Sequence, residues 1–435
     1  MKQYLWKQGA SGDVDETIMQ FLAGEDVVLD RELFPFDIKA TAAHVRGLAR
    51  IGILGEKESQ RLVDLLGELS EEFEQGRFTL DERFEDGHSA IEMYLTERAG
   101  EAGAKVHTGR SRNDQVAVAT RLYLRSCLRR LVELNGQIAL ACLEKAERHA
   151  DLPMPGYTHM QRAVPSSVGL WMAAFAEAFG DNLALASSAL EAVDCSPLGT
   201  AAGYGVNLAL DRDGVASELG FSRLQINPMY VQNSRGKFEL LALQATAHAM
   251  QDLRRLAWDL SLFTTSEFDF VTLPEAYTTG SSIMPNKANP DVVELLRGRA
   301  ATVEAAMVEI QSVLSLPSGY QRDLQLTKAP LIRGMAASLQ ALAIVPALVA
   351  GLAFRERRMR EAISPEMFAT DLALEKAARG VPFRTAYLEA KSQLDTGEAP
   401  DAAASLAQRV SPGGCGNLLL ERIRLRLEQL ISSTG

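Results

Sequence analysis

Along most of the chain apolar residues recur at three- and four-residue steps, and strict apolar/polar alternation is nearly absent. Between Asp114 and Ala150 the sequence holds one glycine and no proline, with Val116, Leu122, Leu124, Leu128, Leu131 and Leu134 on that spacing. The pattern predicts one long helix. Similar segments over about 166–191, 236–266, 291–316 and 328–353 predict four more, each roughly 35–50 Å long at the helical rise. Alanine-rich stretches such as AVATRLYLRS, LALQATAHAM and RAATVEAAMVEI allow close approach, and helices apolar around so much of their circumference need neighbours on several sides. The expected architecture is all-α, a long bundle joined by helices of partner subunits. Strand-type alternation is confined to short stretches such as Phe270 to Leu273.

Helices of ordinary length are predicted over 30–75 and 89–101. Beyond Arg355 shorter helices are broken at Gly380-Val381-Pro382 and at Ser411-Pro412-Gly413-Gly414. These flanks imply three helical domains, an N-terminal one over 1–105, the central bundle over 106–355 and a small C-terminal one over 356–435.

A chain of 435 residues is too long for one simple core. At 47% hydrophobic and 23% charged residues its usage is that of a globular protein. The net charge of −11 argues against a nucleic-acid surface, which depends on clustered Lys and Arg, so an anionic substrate must find local cations. The N-terminus turns polar at once, unlike a signal peptide. No membrane span is expected, uncharged stretches being read as shorter than about 18 residues, and a cytoplasmic location follows. Cys127, Cys142, Cys195 and Cys415 lie far apart and are read as free thiols, while the six histidines show no ligand spacing, so no metal is expected.

Three polar segments interrupt the long helices: His107 to Gln115 (HTGRSRNDQ), Gly156 to Gln161 (GYTHMQ) and Gly280 to Asp291 (GSSIMPNKANPD). Loops held by rigid helices are where binding and catalytic groups concentrate. In the last, Asn289, Pro290 and Asp291 read as N-cap, first helical residue and acidic first turn. With Lys287 and the free N–H groups of Gly280-Ser281-Ser282, this loop suits a carboxylate. In the first, Arg110 and Arg112 match a dicarboxylate beside Asn113, which is expected to cap the helix opening at Asp114. For these arginines interdomain salt bridges are the competing reading. His159 falls in a short loop rather than on an apolar face.

Taken together and in this order, the segments resemble the fumarase and aspartase superfamily, whose signature loop GSSIMPNKANP matches. RSRNDQ, GYTHMQ and Leu316 to Lys328 (LPSGYQRDLQLTK) narrow the resemblance to the argininosuccinate lyases. It extends through Glu85-Asp-Gly-His88 with Ala90-Ile-Glu92, Pro197-Leu-Gly199 and Gly380-Val-Pro-Phe-Arg384, covering most of the chain. Asn286 and Ala288 stand where the family more often has Gln and Lys, and Gly24 to Asp30 lacks the serine many members use for substrate contact.

What the resemblance implies is reversible β-elimination of argininosuccinate to arginine and fumarate, without a cofactor, in a homotetramer whose sites draw on three chains. Removing a proton next to a carboxylate builds a doubly negative aci-carboxylate, which preorganised donors must stabilise. Lys287, Arg110, Arg112, Asn113, Asn289 and Lys328 are the groups available. By resemblance Ser281 is the general base, activated with help from Lys287, and His159, paired with Glu294, handles the proton at the departing nitrogen. The reverse assignment of His159 and Ser281 stays open. Thr158, Tyr320, Gln325 and Lys328 are carried over as substrate contacts, with Arg235 and His88 behind them. The competing readings are another fumarate-releasing lyase such as adenylosuccinate lyase, an inactive scaffold, and a helical interaction protein.

Overall fold

The computed structural model describes residues 24–81, 83–392 and 401–433, together with Ile18 and Phe21. The polar N-terminal stretch, Met1 to Thr17, lies outside them. Three helices come first, α1 (Asp26–Arg50), α2 (Glu56–Glu74) and α3 (Gly87–Ala99), followed by the long α4 (Arg112–Arg148). On α4 the residues that predicted it, Leu124, Leu128, Leu131 and Leu134, are all 0% exposed. Each contributes on the order of 1.5–3 kcal/mol by leaving water. Next come strands β1 (Pro153–Thr158) and β2 (Gln161–Ser167), helix α5 (Val168–Val193), the two-residue strands β3 (Cys195–Ser196) and β4 (Arg223–Leu224), and α6 (Lys237–Phe263). Strand β5 (Val271–Thr272) precedes a small ladder of β6 (Thr279–Gly280) and β7 (Ala288–Asn289), which leads into α7 (Asp291–Val313). Helices α8 (Lys328–Ala343) and α9 (Val345–Gly351), strand β8 (Ala353–Phe354) and further helices ending with α10 (Leu420–Ser432) complete the described chain.

The chain divides into two compact units. One comprises the residues up to Arg129 with Ala186–Ala245 and Thr302–Ala336, and the other Arg130–Leu185, Thr246–Ala301 and the residues from Ala337 onward. In the first unit, Phe34 stacks on Phe78 at 5.7 Å over Leu62, Leu65, Leu66 and Leu69. There α6, α7 and α8 approach so closely at Gly334 that a Cβ would stand 2.9 Å from Leu243 and 3.1 Å from Ala306. In the second unit, Trp171 donates its indole N–H to Asp259 at 2.9 Å and packs edge-on against Phe263 at 5.2 Å. Gly180 leaves room for Leu427 of α10, only 2.7 Å from where its Cβ would be.

Three expectations are corrected. The segment over 328–353 is two helices, because Pro346 supplies no N–H to continue the ladder and the chain turns at Ile344. Gly334 to Phe354 carries no charged side chain, so an uncharged run longer than expected does exist. Among the described residues Arg322–Gly351 is apolar enough by length and composition to cross a membrane, and 44% of its most apolar window is buried within the chain. Finally, β1 and β2 form a hairpin where only a loop was read.

Candidate active site

The N-terminal unit gathers the HTGRSRNDQ loop, the EDGH motif and Lys328. Helix α4 opens at Arg112, and its cap is Ser111 rather than Asn113: the Ser111 hydroxyl accepts the Asn113 N–H at 3.3 Å, and Asp114 accepts the Ser111 N–H at 2.9 Å. The other oxygen of Asp114 accepts the N–H groups of Gly199 and Ala201 at 3.0 and 2.8 Å, tying the PLG segment to this turn. Burial, against those bonds, raises its carboxyl to about 6. The buried His44 ring bonds the Thr108 carbonyl through Nε2 at 3.0 Å. Burial and the neighbouring Arg110 hold that ring well below the usual histidine range, so it is neutral and donates.

Arg112 forks onto Glu85 at 2.6 and 3.0 Å and lies 3.3 Å from Asp86, the residue that caps α3. Arg112 is thus engaged in a salt bridge, formed within one compact unit. Arg110 instead donates to the Thr41 hydroxyl at 2.9 Å. His88 Nδ1 donates to Asp37 at 2.5 Å. Burial alone would depress that ring, but Asp37 and then Asp86 and Asp30 outweigh it and hold it at about 9. Lys328 is 6% exposed and bonds Asp30 at 2.6 Å and Asp26 at 3.0 Å. Burial opposes its charge, yet the two carboxylates raise its pKa. Asp26, on the other hand, is raised by burial despite the lysine. Arg235 is buried beside Glu239 at 3.6 Å, a structural placement. Tyr320 and Gln325 are half-buried, and Asn233 holds the turn before Tyr320 by accepting the Gly319 N–H at 2.8 Å.

The second unit carries the other two segments. His159 and Met160 are the two-residue turn of the β1–β2 hairpin, with φ of 53° and 60°. That is the left-handed geometry tight hairpins demand, and L-residues adopt it at a cost. Thr158 and His159 are exposed at the tip, while Tyr157 anchors the strand edge-on against Phe268 at 5.6 Å. At the bulge between Pro155 and Tyr157 the backbone passes so close that a Cβ on Gly156 would meet the Val164 carbonyl at 2.9 Å. Gly156→Ala is therefore expected to cost about 1–3 kcal/mol and to lower kcat by displacing the tip, read as a drop in Tm together with slower turnover.

In the signature loop, β6 pairs with β7, matching Thr279 with Asn289 and Gly280 with Ala288, so that Ser281 to Lys287 project as a closed loop. The Thr279 hydroxyl bonds the Asp291 carboxylate and fixes the ladder to α7. Helix α7 starts at Asp291, where the 291–316 segment was read to begin, but Pro290 stands just outside it rather than as its first residue and accepts the Glu294 N–H at 3.1 Å, and Asn289 belongs to the ladder instead of capping. Ser281 Oγ accepts the backbone N–H groups of Met284 at 3.0 Å and Ile283 at 3.4 Å. Two N–H dipoles on one hydroxyl oxygen favour negative charge there. Lys287 and Glu294 are exposed, and within the chain no bond joins Glu294 to His159 among the described residues.

Aspartates on α1 were not anticipated. Asp26, Asp30 and Asp37, with Thr41 and His44, follow one another at four, seven, four and three residues, one face of a helix. The signal was present, but such a polar stripe ordinarily faces water.

All-helical units carrying a hairpin histidine, a serine loop and buried cations define the scaffold of a lyase. A sequence profile described as Lyase matches residues 11–304. Argininosuccinate lyase of Stenotrophomonas maltophilia (strain R551-3) is 54% identical over 431 residues, covering 99% of this chain and all of that protein. That of Xylella fastidiosa (strain Temecula1) is 54% identical over 439 residues, covering 100% of this chain and 98% of its own. Among solved structures, an EDDS lyase in complex with formate superposes with a TM-score of 0.78 at 24% identity, over 97% of this chain and 91% of the other. Class II fumarase from Schistosoma mansoni gives 0.71 at 18%, over 96% and 93%. These two likenesses concern the fold. The chain belongs to the argininosuccinate lyase family.

Proposed function

We propose that the chain cleaves argininosuccinate reversibly to arginine and fumarate, with Ser281 removing the carbon-bound proton and His159 serving the departing nitrogen. The observation carrying the reaction is identity of 54% along the whole length with argininosuccinate lyases. The Ser281 hydroxyl, already the acceptor of two N–H groups, supports its role as base. Lys287, Asn289 and Thr158, with Arg110, Asn113, Tyr320, Gln325 and Lys328, are the proposed substrate contacts. Arg112 acts behind them through Glu85.

The site is completed by other copies of the chain in a homotetramer, with the stretch over 106–355 as the shared bundle between smaller domains at either end. Exposed apolar side chains at the key elements support this: Met160 at 69%, Ile283 at 83%, Leu295 at 65% and Val308 at 63%. In such an assembly the partner of His159 is Glu294 of another copy. The proposed setting is cytoplasmic amino-acid biosynthesis.

The test is fumarate absorbance with argininosuccinate beside adenylosuccinate, malate and aspartate, repeated on dilution with mass measured in parallel. Fumarate from argininosuccinate alone, lost as the assembly dissociates, is expected. Turnover of another substrate instead overturns the specificity, and full activity in a monomer overturns the composite site.

A further inference from the structure

Among the nitrogen donors of the N-terminal unit that are buried with no hydrogen-bond partner in the described residues are Nε2 of His88 and Nε of Arg110. A buried N–H without an acceptor is costly. Each belongs to a side chain otherwise held firmly, and both holds lead to one residue. Asp37 is 2% exposed. Its Oδ2 accepts from His88 Nδ1 at 2.5 Å, while its Oδ1 faces the Thr41 hydroxyl at 3.5 Å. Thr41 in turn accepts from Arg110 Nη1 at 2.9 Å. Asp37 and Thr41 lie one turn apart on α1, so a single helix face sets the orientation of a histidine from α3 and of an arginine from the turn before α4.

We propose that Asp37 is a positioning residue for substrate binding, holding His88 and, through Thr41, Arg110 so that their unpartnered N–H groups converge on a carboxylate of the substrate. The inference deepens the reaction proposed above and rests on it. Neither Asp37 nor Thr41 touches the substrate in this scheme; they orient what does. Asp37 also keeps the His88 ring charged, since it is the first of the carboxylates acting on that ring, with Asp86 and Asp30 behind it and burial and the neighbouring His107 on the opposing side of the balance. A ring held at about 9 donates from both nitrogens at neutral pH.

The experiment is steady-state kinetics of the intact enzyme with argininosuccinate across pH 6–10. Asp37→Asn is expected to raise KM by about 10- to 100-fold, the worth of a charge-assisted hydrogen bond, with a much smaller change in kcat. Without its nearest anion the buried ring gives up its proton earlier, so the alkaline fall in kcat/KM is expected to move down by about 1–3 pH units. Asp37→Glu, keeping the charge, is expected to bring that arm back. Combined with His88→Asn, the Asp37→Asn effect should shrink to the part carried through Thr41 and Arg110, because the remainder acts through the one ring. Should Asp37→Asn fail to fold, Thr41→Val reads the Arg110 branch alone, with a KM rise expected. A KM within twofold of the parent, an unmoved alkaline arm, or effects that multiply in the double variant would overturn the proposal. A parent enzyme inert on argininosuccinate would sink the underlying reaction instead, so the two failures are distinct.

Discussion

Ser281→Ala is expected to lower kcat by about 10²–10⁴-fold, the usual worth of a positioned general base, while KM and Tm stay near the parent values. The expectation comes from how little else the hydroxyl does. Ser281 lies in the loop beside exposed Ile283, and its oxygen bonds only the N–H groups of Ile283 and Met284 among the described residues. Those donors can turn to water when the hydroxyl is gone, so folding loses little. An ordinary serine is a poor base, and two N–H dipoles go only part of the way toward an alkoxide. Closure of the loop over substrate, with exclusion of water, has to supply the rest. Single-turnover fumarate formation separates this from a binding defect. A fall of less than tenfold, or one residing wholly in KM, would transfer the base role to His159. Threonine at the same position keeps an oxygen and is expected to retain part of the rate.

The long helices were legible because burial on several sides writes apolar residues at three- and four-residue steps, and Leu124 to Leu134 obeyed that spacing. The hairpin was not. Its strands contain Pro153, Pro155, Gly156 and Pro165, residue types that strands avoid, and its turn is made by His159 and Met160 where glycine or asparagine would have announced it. The cap at Ser111 was mistaken for Asn113 because both types cap well; only the position of Asp114, three residues after the serine, discriminates between them. The acidic stripe on α1 went unread for a different reason. Carboxylates at helical spacing ordinarily face water, and here they are buried because Lys328 and His88, distant in sequence, neutralise them. Polar residues whose partners come from far along the chain carry no local mark of that pairing, so the polar loops, with Lys328 and His88, could be picked out from sequence while their carboxylate partners on α1 could not.

Lys328→Met is expected to cost about 3–5 kcal/mol of stability, as when one partner of a buried ion pair is removed. Lys328 is 6% exposed and serves both Asp26 and Asp30, and Asp30 also accepts the Gly87 N–H at 2.8 Å, which fixes the start of α3. Without the ammonium, two carboxylates are left facing each other in a buried site, where burial already raises Asp26. The sign with pH follows from that. In the variant burial raises Asp26 with no lysine to oppose it, so the folded state prefers it protonated: the deficit is smallest below the unfolded carboxyl range, where both states carry the proton, and grows as pH rises from there toward the folded pKa. In the parent, Lys328 has a raised pKa, so its contribution is full at neutral pH and is lost only as pH climbs past the lysine range. Urea unfolding of parent and variant at pH 5 and pH 8 measures both. A loss under about 1 kcal/mol at pH 8, or one that shrinks on going from pH 5 to pH 8, would show that the pair is not the buried, mutually dependent unit described. Activity and stability separate in the triple variant Asp26→Asn, Asp30→Asn, Lys328→Met. With no charge left to strand, most of the stability should return. Turnover should not, because the proposed substrate contact at Lys328 is still missing.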